Sequence, residues 1–176
     1  VNSYADLKAA VDKGAAKVKL TADIDTTSEN GGAGLTSTTN LTFKGGGHVL
    51  DLNGHTLKLV TSVKDARLIL VENQDVTIKD GSTSGSGKIE MEFGENRTNV
   101  QYPIYISSMG SLTIDGGTFS SSSNRVNYIE CYGSLTINGG TIVSNSTQQV
   151  NLIKCENANI TINGGKLQIP HKNEFG

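Results

Sequence analysis

A nine-residue pattern recurs in the second half of the chain and constrains the fold more than any other feature. Its three copies are SLTIDGGTF at 111–119, SLTINGGTI at 134–142 and NITINGGKL at 159–167. The first apolar position recurs at Leu112, Leu135 and Ile160, at a nearly constant spacing. A period of roughly 24 residues is typical of solenoids, in which each repeat packs mainly on its neighbours.

Two looser copies extend the pattern toward the N-terminus. They are VLDLNGHTL at 49–57 and DVTIKDGS at 75–82. Their apolar residues Leu50 and Val76 are separated by a spacing close to that of the later copies. The sequence therefore predicts five coils that share this period.

Each repeat combines a strand, a turn and a second strand. Leu112 and Ile114 flank Thr113, and this alternation is typical of a half-buried strand. An Asn-Gly or Asp-Gly pair then follows, and such pairs accept the backbone angles of a sharp bend. We interpret these pairs as structural residues: Asn53-Gly54, Asp80-Gly81, Asp115-Gly116, Asn138-Gly139 and Asn163-Gly164.

Asn-Gly between alternating strands also signals an antiparallel hairpin, which is the competing interpretation. A near-constant period favours a coil of three short strands instead. Third strands precede the pattern at Ile104/Ile106, Ile129/Cys131 and Ile153/Cys155. We therefore predict an all-β fold, a single-stranded right-handed parallel β-helix with a short N-terminal capping α-helix.

The N-terminus differs from the repeats. Ser3 and Asp6 resemble a helix-capping pair, and Leu7, Ala10 and Val11 share one helical face. We predict a capping helix over residues 2–14 and coils over 17–168, within one domain of residues 1–176. The C-terminal edge shows no equivalent cap, so we expect a partner, a further domain or Pro170 to protect it.

The two cysteines, Cys131 and Cys155, are separated by one period of the repeat. They are expected to stack on adjacent strands as small buried hydrophobes. A disulfide is compatible with that separation but is not required by it.

One interval in the repeat is about a dozen residues too long, between Val76 and Leu112. The surplus is predicted to form an inserted loop at 91–102, and such loops often carry binding. The candidate ligand-binding residues there are Glu92, Glu95, Arg97 and Tyr102. A solvated loop or a subunit contact is the alternative interpretation. A second irregular stretch, 26–40, is predicted to be a flexible surface loop.

Charge and hydropathy exclude two classes of partner. The net charge of −2 and the scattered basic residues disfavour nucleic acid, which requires clustered Lys and Arg. The chain contains no run of 18 apolar residues, so we expect no membrane insertion.

The opening SYADLKAAVDKGAAKVKLTADI, the strand LDLNGHTL and the LTINGGT coils resemble the pectin-lyase-like right-handed parallel β-helix modules of bacteriophage fibres and spikes and of bacterial cell-surface proteins. The resemblance covers about residues 2–168. It implies a location on a virion, on a cell surface or outside the cell. It also implies bacterial surface polysaccharide, or other virion or cell-surface subunits, as partners, and analogy with β-helical spikes suggests a homotrimer.

Enzymes of this fold resemble one another in an Asn-x-Asp and an Asp-Asp pair near a His, or in clustered acidic calcium ligands. The chain has no adjacent Asp-Asp, and Asn138 and Asn163 replace Asp80 and Asp115 at equivalent turns. We therefore assign no catalytic residue, metal or cofactor. Carboxylates on adjacent coils, Asp51 among the outward candidates, would nevertheless lie near the separation used in glycoside hydrolysis.

The resulting hypothesis is a non-catalytic structural and recognition module, a virion-associated fibre, spike or decoration protein that displays a β-helix toward bacterial surface glycans. Two alternatives stay open. One is an adhesin domain of a bacterial cell-surface protein, and the other is a polysaccharide lyase or hydrolase.

Overall fold

A computed structural model of the chain describes residues 1–94, 101–121, 128–145 and 151–169. These residues are mostly β, and their strands are arranged in parallel ladders. Within these ranges two helices interrupt the strands, α1 (Tyr4–Asp12) and the single turn α2 (Glu29–Gly32).

The described strands form three ladders, which we name by the order in which the chain reaches them. The first ladder contains β1 (Lys17–Lys19), β4 (His48–Asp51), β7 (Asp75–Lys79), the first parts of β10 (Ser111–Ser121) and β12 (Ser134–Ser144), and β14 (Asn159–Ile162). The second contains β2 (Ile24–Asp25), β5 (Thr56–Thr61), β8 (Lys88–Phe93), the later parts of β10 and β12, and β15 (Lys166–Gln168). The third contains β3 (Thr39–Phe43), β6 (Arg67–Val71), β9 (Ile104–Ile106), β11 (Ile129–Cys131) and β13 (Ile153–Cys155).

The chain visits the three ladders in turn and then returns to the first, and we call each circuit a pass. Every strand pairs in parallel with the equivalent strand of the neighbouring pass. Leu112 lies opposite Leu135, and Leu135 lies opposite Ile160. The predicted curled, parallel β architecture is therefore confirmed, and the antiparallel hairpin interpretation is wrong.

The upstream alignment of the repeat was wrong by two positions. Leu50 lies opposite Ile78, and Val76 lies opposite His48. The sequence interpretation matched one apolar residue of each copy, whereas the ladder pairs Leu50 with a different inward residue of β7. A slip of two positions keeps the same side chains inward, which is why the pattern did not reveal it.

The Asn-Gly and Asp-Gly pairs consequently do not form one continuous ladder. Asp115 and Asn163 directly follow the inward residue of their strands, whereas Asp80 follows Ile78 by two positions. Left-handed backbone occurs at Asn53, with φ of 49°. In the later turns left-handed backbone occurs at glycines. These include the second residue of each Gly-Gly sequence, as at Gly140, with φ of 87°.

The outward position before the turn forms a column of alternating charge in the first ladder. Its members, from pass to pass, are Lys19, Asp51, Lys79 and Asp115. Lys79 Nζ lies 3.7 Å from Asp51 Oδ2. Farther along, Asn163 Nδ2 donates to Asn138 Oδ1 at 2.8 Å. Like charges directly opposite one another destabilise a sheet, and this column avoids them.

The core consists of side chains stacked in columns between the ladders. Leu50, Ile78, Ile114 and Ile137 are at most 1% exposed. Full burial of each such side chain contributes about 1.5–3 kcal/mol. The equivalent Ile162 is 52% exposed, because β14 and β15 pair with β12 alone among the described strands.

Helix α1 covers the opposite end of the core. The Asp6 N–H donates to Ser3 Oγ at 3.1 Å, which satisfies one unpaired donor of the first turn. Leu7 and Val11 are fully buried against the core. No helix within the described ranges is long and apolar enough to cross a membrane.

The cysteines lie opposite one another on β11 and β13, as their spacing predicted. Both are free thiols. Cys131 is fully buried, but Cys155 is exposed because the outer side of β13 carries no strand in the described part of the chain. The expectation that both cysteines are buried is therefore wrong for Cys155.

The surplus residues of the third pass are divided between the connection from β7 to β8 and the connection from β8 to β9. Residues 80–87 form the first of these, whereas β10 crosses the same corner with Gly116 and Gly117 alone. The predicted loop 91–102 overlaps β8, because Met91 and Phe93 alternate inward and are buried. The other predicted loop, 26–40, contains α2 and ends inside β3.

Gly140 provides a test of the close stacking at the turns. A Cβ added there would lie 2.5 Å from the Gly117 carbonyl oxygen, on a backbone with φ of 87°. We expect Gly140→Ala to destabilise the fold by about 3 kcal/mol and lower Tm by roughly 6–12 °C. The measurement is thermal unfolding followed by circular dichroism.

The adjacent Gly139→Ala is the matched control. The nearest atom to an added Cβ at Gly139 is the Gly116 nitrogen at 3.9 Å, which is ordinary contact. Its effect should stay below about 1 kcal/mol. Equal losses of Tm in the two variants would contradict the stacking at Gly140.

Tyr128 makes stability depend on alkaline pH. The residue is fully buried, and its Oη donates to the Ser120 carbonyl oxygen at 3.1 Å. Burial, with the Glu90 charge, raises the pKa of Tyr128 well above its ordinary value of 10.0. The unfolded chain therefore releases this proton first as pH rises, so the folded state loses stability above about pH 10.

We expect the free energy of unfolding to fall above about pH 10, with a shallower slope for Tyr128→Phe because one linked proton is removed. Urea titrations at several pH values measure both slopes. Parallel slopes for the two proteins would contradict the assignment to Tyr128.

Candidate functional site

The predicted ligand-binding residues are distributed over different parts of the molecule. Glu92 lies on β8 in the second ladder, with Oε2 3.4 Å from Lys58 Nζ. Glu92 also lines a polar cleft with Glu90, Ser120 and Asn145. Tyr102 precedes β9 and belongs to a different face. Glu95 and Arg97 lie outside the described residues.

Tyr102 belongs to a cluster on the outer side of the third ladder. We call this cluster the tyrosine face; its members are Arg67, Tyr102, Tyr105, Glu130, Tyr132 and Lys154. The chain has five tyrosines and no tryptophan, and this face holds three of the five tyrosines.

The register of the third ladder assembles the face. Tyr105, Glu130 and Lys154 lie opposite one another on β9, β11 and β13. Each is the middle residue of a strand whose flanking residues point inward, so all three point outward. Residues from successive passes are thereby brought within one strand spacing of each other.

A stack of three flat groups occupies one part of the face. The Arg67 guanidinium lies over the Tyr105 ring, with Cζ 3.5 Å from the ring centroid. The centroids of Tyr105 and Tyr132 are 5.5 Å apart, with ring planes inclined by 40°. A cation over an aromatic face is attracted by the ring quadrupole. The stack therefore orients the guanidinium.

Glu130 holds the other part of the face together. Its side chain is 9% exposed, and Oε1 accepts from Lys154 Nζ at 2.9 Å and from Tyr132 Oη at 3.2 Å. Lys154 Nζ also lies 5.2 Å from the Tyr102 ring centroid. A nearly buried carboxylate requires such partners, since an unpaired one is costly.

The charges follow from these contacts. The hydrogen bond to Glu130 and its negative charge raise the pKa of Lys154. Partial burial, then the charge of Glu130 and the hydrogen bond to it, raise the pKa of Tyr132. Lys154 is thus protonated and Tyr132 neutral at physiological pH.

Three polar groups of the face remain available to a ligand. The Arg67 guanidinium and the hydroxyls of Tyr102 and Tyr105 have no hydrogen-bond partner within the described ranges. Aromatic surface combined with hydrogen-bond donors is typical of recognition sites. The arrangement is suited to binding a polar partner along the third ladder.

The carboxylates considered for catalysis are engaged in turns. Asp80 accepts from the N–H groups of Gly54, at 2.8 Å, and Gly87, at 2.7 Å. Burial acts to raise the pKa of Asp80, but these hydrogen bonds and those from Ser82 outweigh it and lower the pKa. Asp51 likewise accepts from the N–H groups of Asn53 and Gly81. In the part of the chain that the structure describes, no group of three His, Cys, Asp or Glu side chains is arranged to hold a metal.

The sequence interpretation missed five of the six members of the tyrosine face. The signal for three of them was present in the third strands, as the residue between each inward pair. Tyr105, Glu130 and Lys154 occupy that position, and the period of the repeat aligns them. Arg67 and Tyr132 lie at strand ends, where the pattern gives no equivalent signal.

The Glu130–Lys154 contact can be tested by titration. In Glu130→Gln the negative charge is lost, so the raised pKa of Lys154 should return toward the ordinary lysine value. The Lys154 Cε chemical shift, followed by NMR through alkaline pH, measures this change. Glu90→Gln, which removes a carboxylate outside the face, is the control. A Lys154 titration unaffected by Glu130→Gln would contradict the ion pair.

Residues 1–106 match a family described as "Putative pectate lyase-like adhesive domain". The matched segment includes Arg67, Tyr102 and Tyr105, whereas Glu130, Tyr132 and Lys154 lie beyond it. No curated protein and no solved structure matches the chain. Because the match spans more than half of the 176 residues, the chain belongs to the family of pectate lyase-like adhesive domains.

Proposed function

We propose that this chain is a non-catalytic adhesive module, a right-handed parallel β-helix that binds surface polysaccharide through its tyrosine face. The family match supports an adhesin-like or surface role. The tyrosine face is the observation that carries the proposed ligand, because it joins aromatic rings to hydrogen-bond donors that have no partner among the described residues.

General chain chirality supports the right-handed sense. Each pass leaves the first ladder and returns to it beside its previous strand, in parallel. Parallel connections of this kind are right-handed in about 98% of cases. A stiff solenoid of this type holds its outward side chains in fixed columns, which suits a repetitive ligand.

The geometry of the face suits a sugar chain. Its members lie on four successive passes, from Arg67 on β6 to Lys154 on β13. Neighbouring strands are about 4.8 Å apart, so the face extends over roughly 14 Å. Several linked sugars can therefore meet it at once, with hydroxyls at Tyr102 and Tyr105.

The setting we favour is the bacterial cell surface, since the matched family is described as adhesive. The phage fibre, spike or decoration role predicted from the sequence uses the same module on a different particle. Immunogold labelling of intact cells and of purified virions distinguishes the two. Label on virions alone would overturn the cell-surface assignment.

Polysaccharide binding is tested with Tyr105→Ala and Tyr132→Ala, by calorimetry against a panel of purified bacterial surface polysaccharides. We expect each variant to lose about tenfold in affinity, or about 1.4 kcal/mol. Thr136→Val, on the outer side of the first ladder on β12, which follows Tyr132 in the chain, is the control and should bind as wild type.

The absence of catalysis is measured in the same samples. Wild-type protein should bind polysaccharide without releasing reducing ends over prolonged incubation. Reducing-end release would favour the lyase or hydrolase alternative instead. Binding that is unaffected by both tyrosine variants would overturn the tyrosine face as the site.

A further inference from the structure

We infer that the ligand of the tyrosine face is an anionic polysaccharide whose oxyanion groups bind Arg67 through paired hydrogen bonds. The inference rests on the proposed function and specifies its ligand class. It depends on the balance of charges across the face and on the orientation of one guanidinium.

Arg67 is the unpaired cation of the face. Its guanidinium contacts the Tyr105 ring, and no carboxylate of the described chain accepts from it. The neighbouring Asp65 carboxylate lies 3.8 Å from Lys64 Nζ instead. Lys154 is paired with Glu130, and the charge of Glu156 acts on Tyr132, so Arg67 is the cation of the face that contacts no carboxylate of the described chain.

Lys154 does not offer the same binding site. Its ammonium donates to Glu130 Oε1 at 2.9 Å, and that contact neutralises the local charge. An anion near Lys154 would also approach the Glu130 carboxylate. Arg67 is therefore the cation of the face that an anion can approach without meeting Glu130.

The stack leaves the hydrogen-bonding edge of Arg67 available. Guanidinium N–H groups lie in the plane of the group, whereas the Tyr105 ring contacts its face. A planar fork of donors matches the two oxygens of a carboxylate or a phosphate. Because the ring already orients the fork, little side-chain freedom remains to be lost on binding.

The Tyr105 hydroxyl and the Tyr102 hydroxyl complete the recognition. Both are unpaired within the described part of the chain and lie on the same face as Arg67. A neutral sugar would leave the guanidinium without an acceptor, and a small anion would leave the hydroxyls unused. An acidic sugar polymer supplies partners for both.

The test compares three polymers of similar length: a polyuronate, a phosphodiester-linked glycan and neutral dextran. We expect wild-type protein to bind at least one of the anionic polymers about tenfold or more tightly than dextran, by calorimetry. The two anionic arms distinguish a carboxylate from a phosphate as the bound group. Equal affinity for dextran, or no binding of either anionic polymer, would overturn the inference.

Arg67→Gln and Arg67→Lys separate paired hydrogen bonds from charge alone. Arg67→Gln should bind the anionic polymer about tenfold more weakly than wild type. Arg67→Lys should show most of the same decrease in affinity, since an ammonium lacks the planar fork. Lys17→Gln removes the same charge from the outer side of the first ladder and should change affinity by less than about twofold. Full binding by Arg67→Lys or by Arg67→Gln would contradict the assignment.

Two further measurements keep the outcomes distinct. Tyr105→Phe removes the hydroxyl but retains the ring under Arg67, so affinity should fall whereas the preference for the anionic polymer over dextran should persist. Polyglutamate tests the polymer class, and binding as tight as that of the polyuronate would overturn the polysaccharide assignment. If dextran binding depends on Tyr105 but is unchanged in Arg67→Gln, the proposed function stands and this inference alone is refuted.

Discussion

Parallel hydrogen bonding between equivalent strands of successive passes is the constraint on which the rest of the structure depends. It places Leu112 opposite Leu135 and Leu135 opposite Ile160, so that each apolar column is continuous. A slip of one position would reverse every side chain and expose the core. The same register stacks the turns closely enough that Gly140 sits against the Gly117 carbonyl oxygen. Turn composition is therefore a consequence of the ladders, and not an independent signal for hairpins.

The register also turns isolated outward residues into columns, and the columns differ in chemistry. The first ladder carries Lys19, Asp51, Lys79 and Asp115, whose alternating signs let charges stack at one strand spacing. The third ladder carries Tyr105, Glu130 and Lys154, which bring an aromatic ring, a nearly buried carboxylate and a cation together. One column stabilises the stack, whereas the other leaves hydrogen-bonding groups available at the surface.

Inward apolar alternation and its near-constant period predicted the repeat and the parallel coil, because burial affects every inward position in the same way. The capping pair and one apolar face predicted the N-terminal helix. The turns were less predictable, since Asn53 and Asp80 follow their inward residues by different numbers of positions. The sequence interpretation matched Leu50 with Val76 by their apolar character, two positions from the observed register, and assigned the whole surplus to 91–102. The tyrosine face depended on that same register. Tyr102 was identified as a candidate ligand-binding residue of the predicted loop 91–102, and Arg67 could be placed beside Tyr105 only once β6 and β9 were paired.

The two ends of the described solenoid differ, and the difference bears on the face. Helix α1 buries Leu7 and Val11 at one end, whereas Ile162 and Leu167 are exposed at the other. The outermost strand of the third ladder, β13, supplies Lys154, and the contact of Lys154 with Glu130 ties this strand to β11. Order in the outermost described strand of the third ladder is therefore coupled to the site. A ligand that bridges Arg67 on β6 and the groups near β13 would stabilise the stacking of the passes between them, because it binds only when they are aligned.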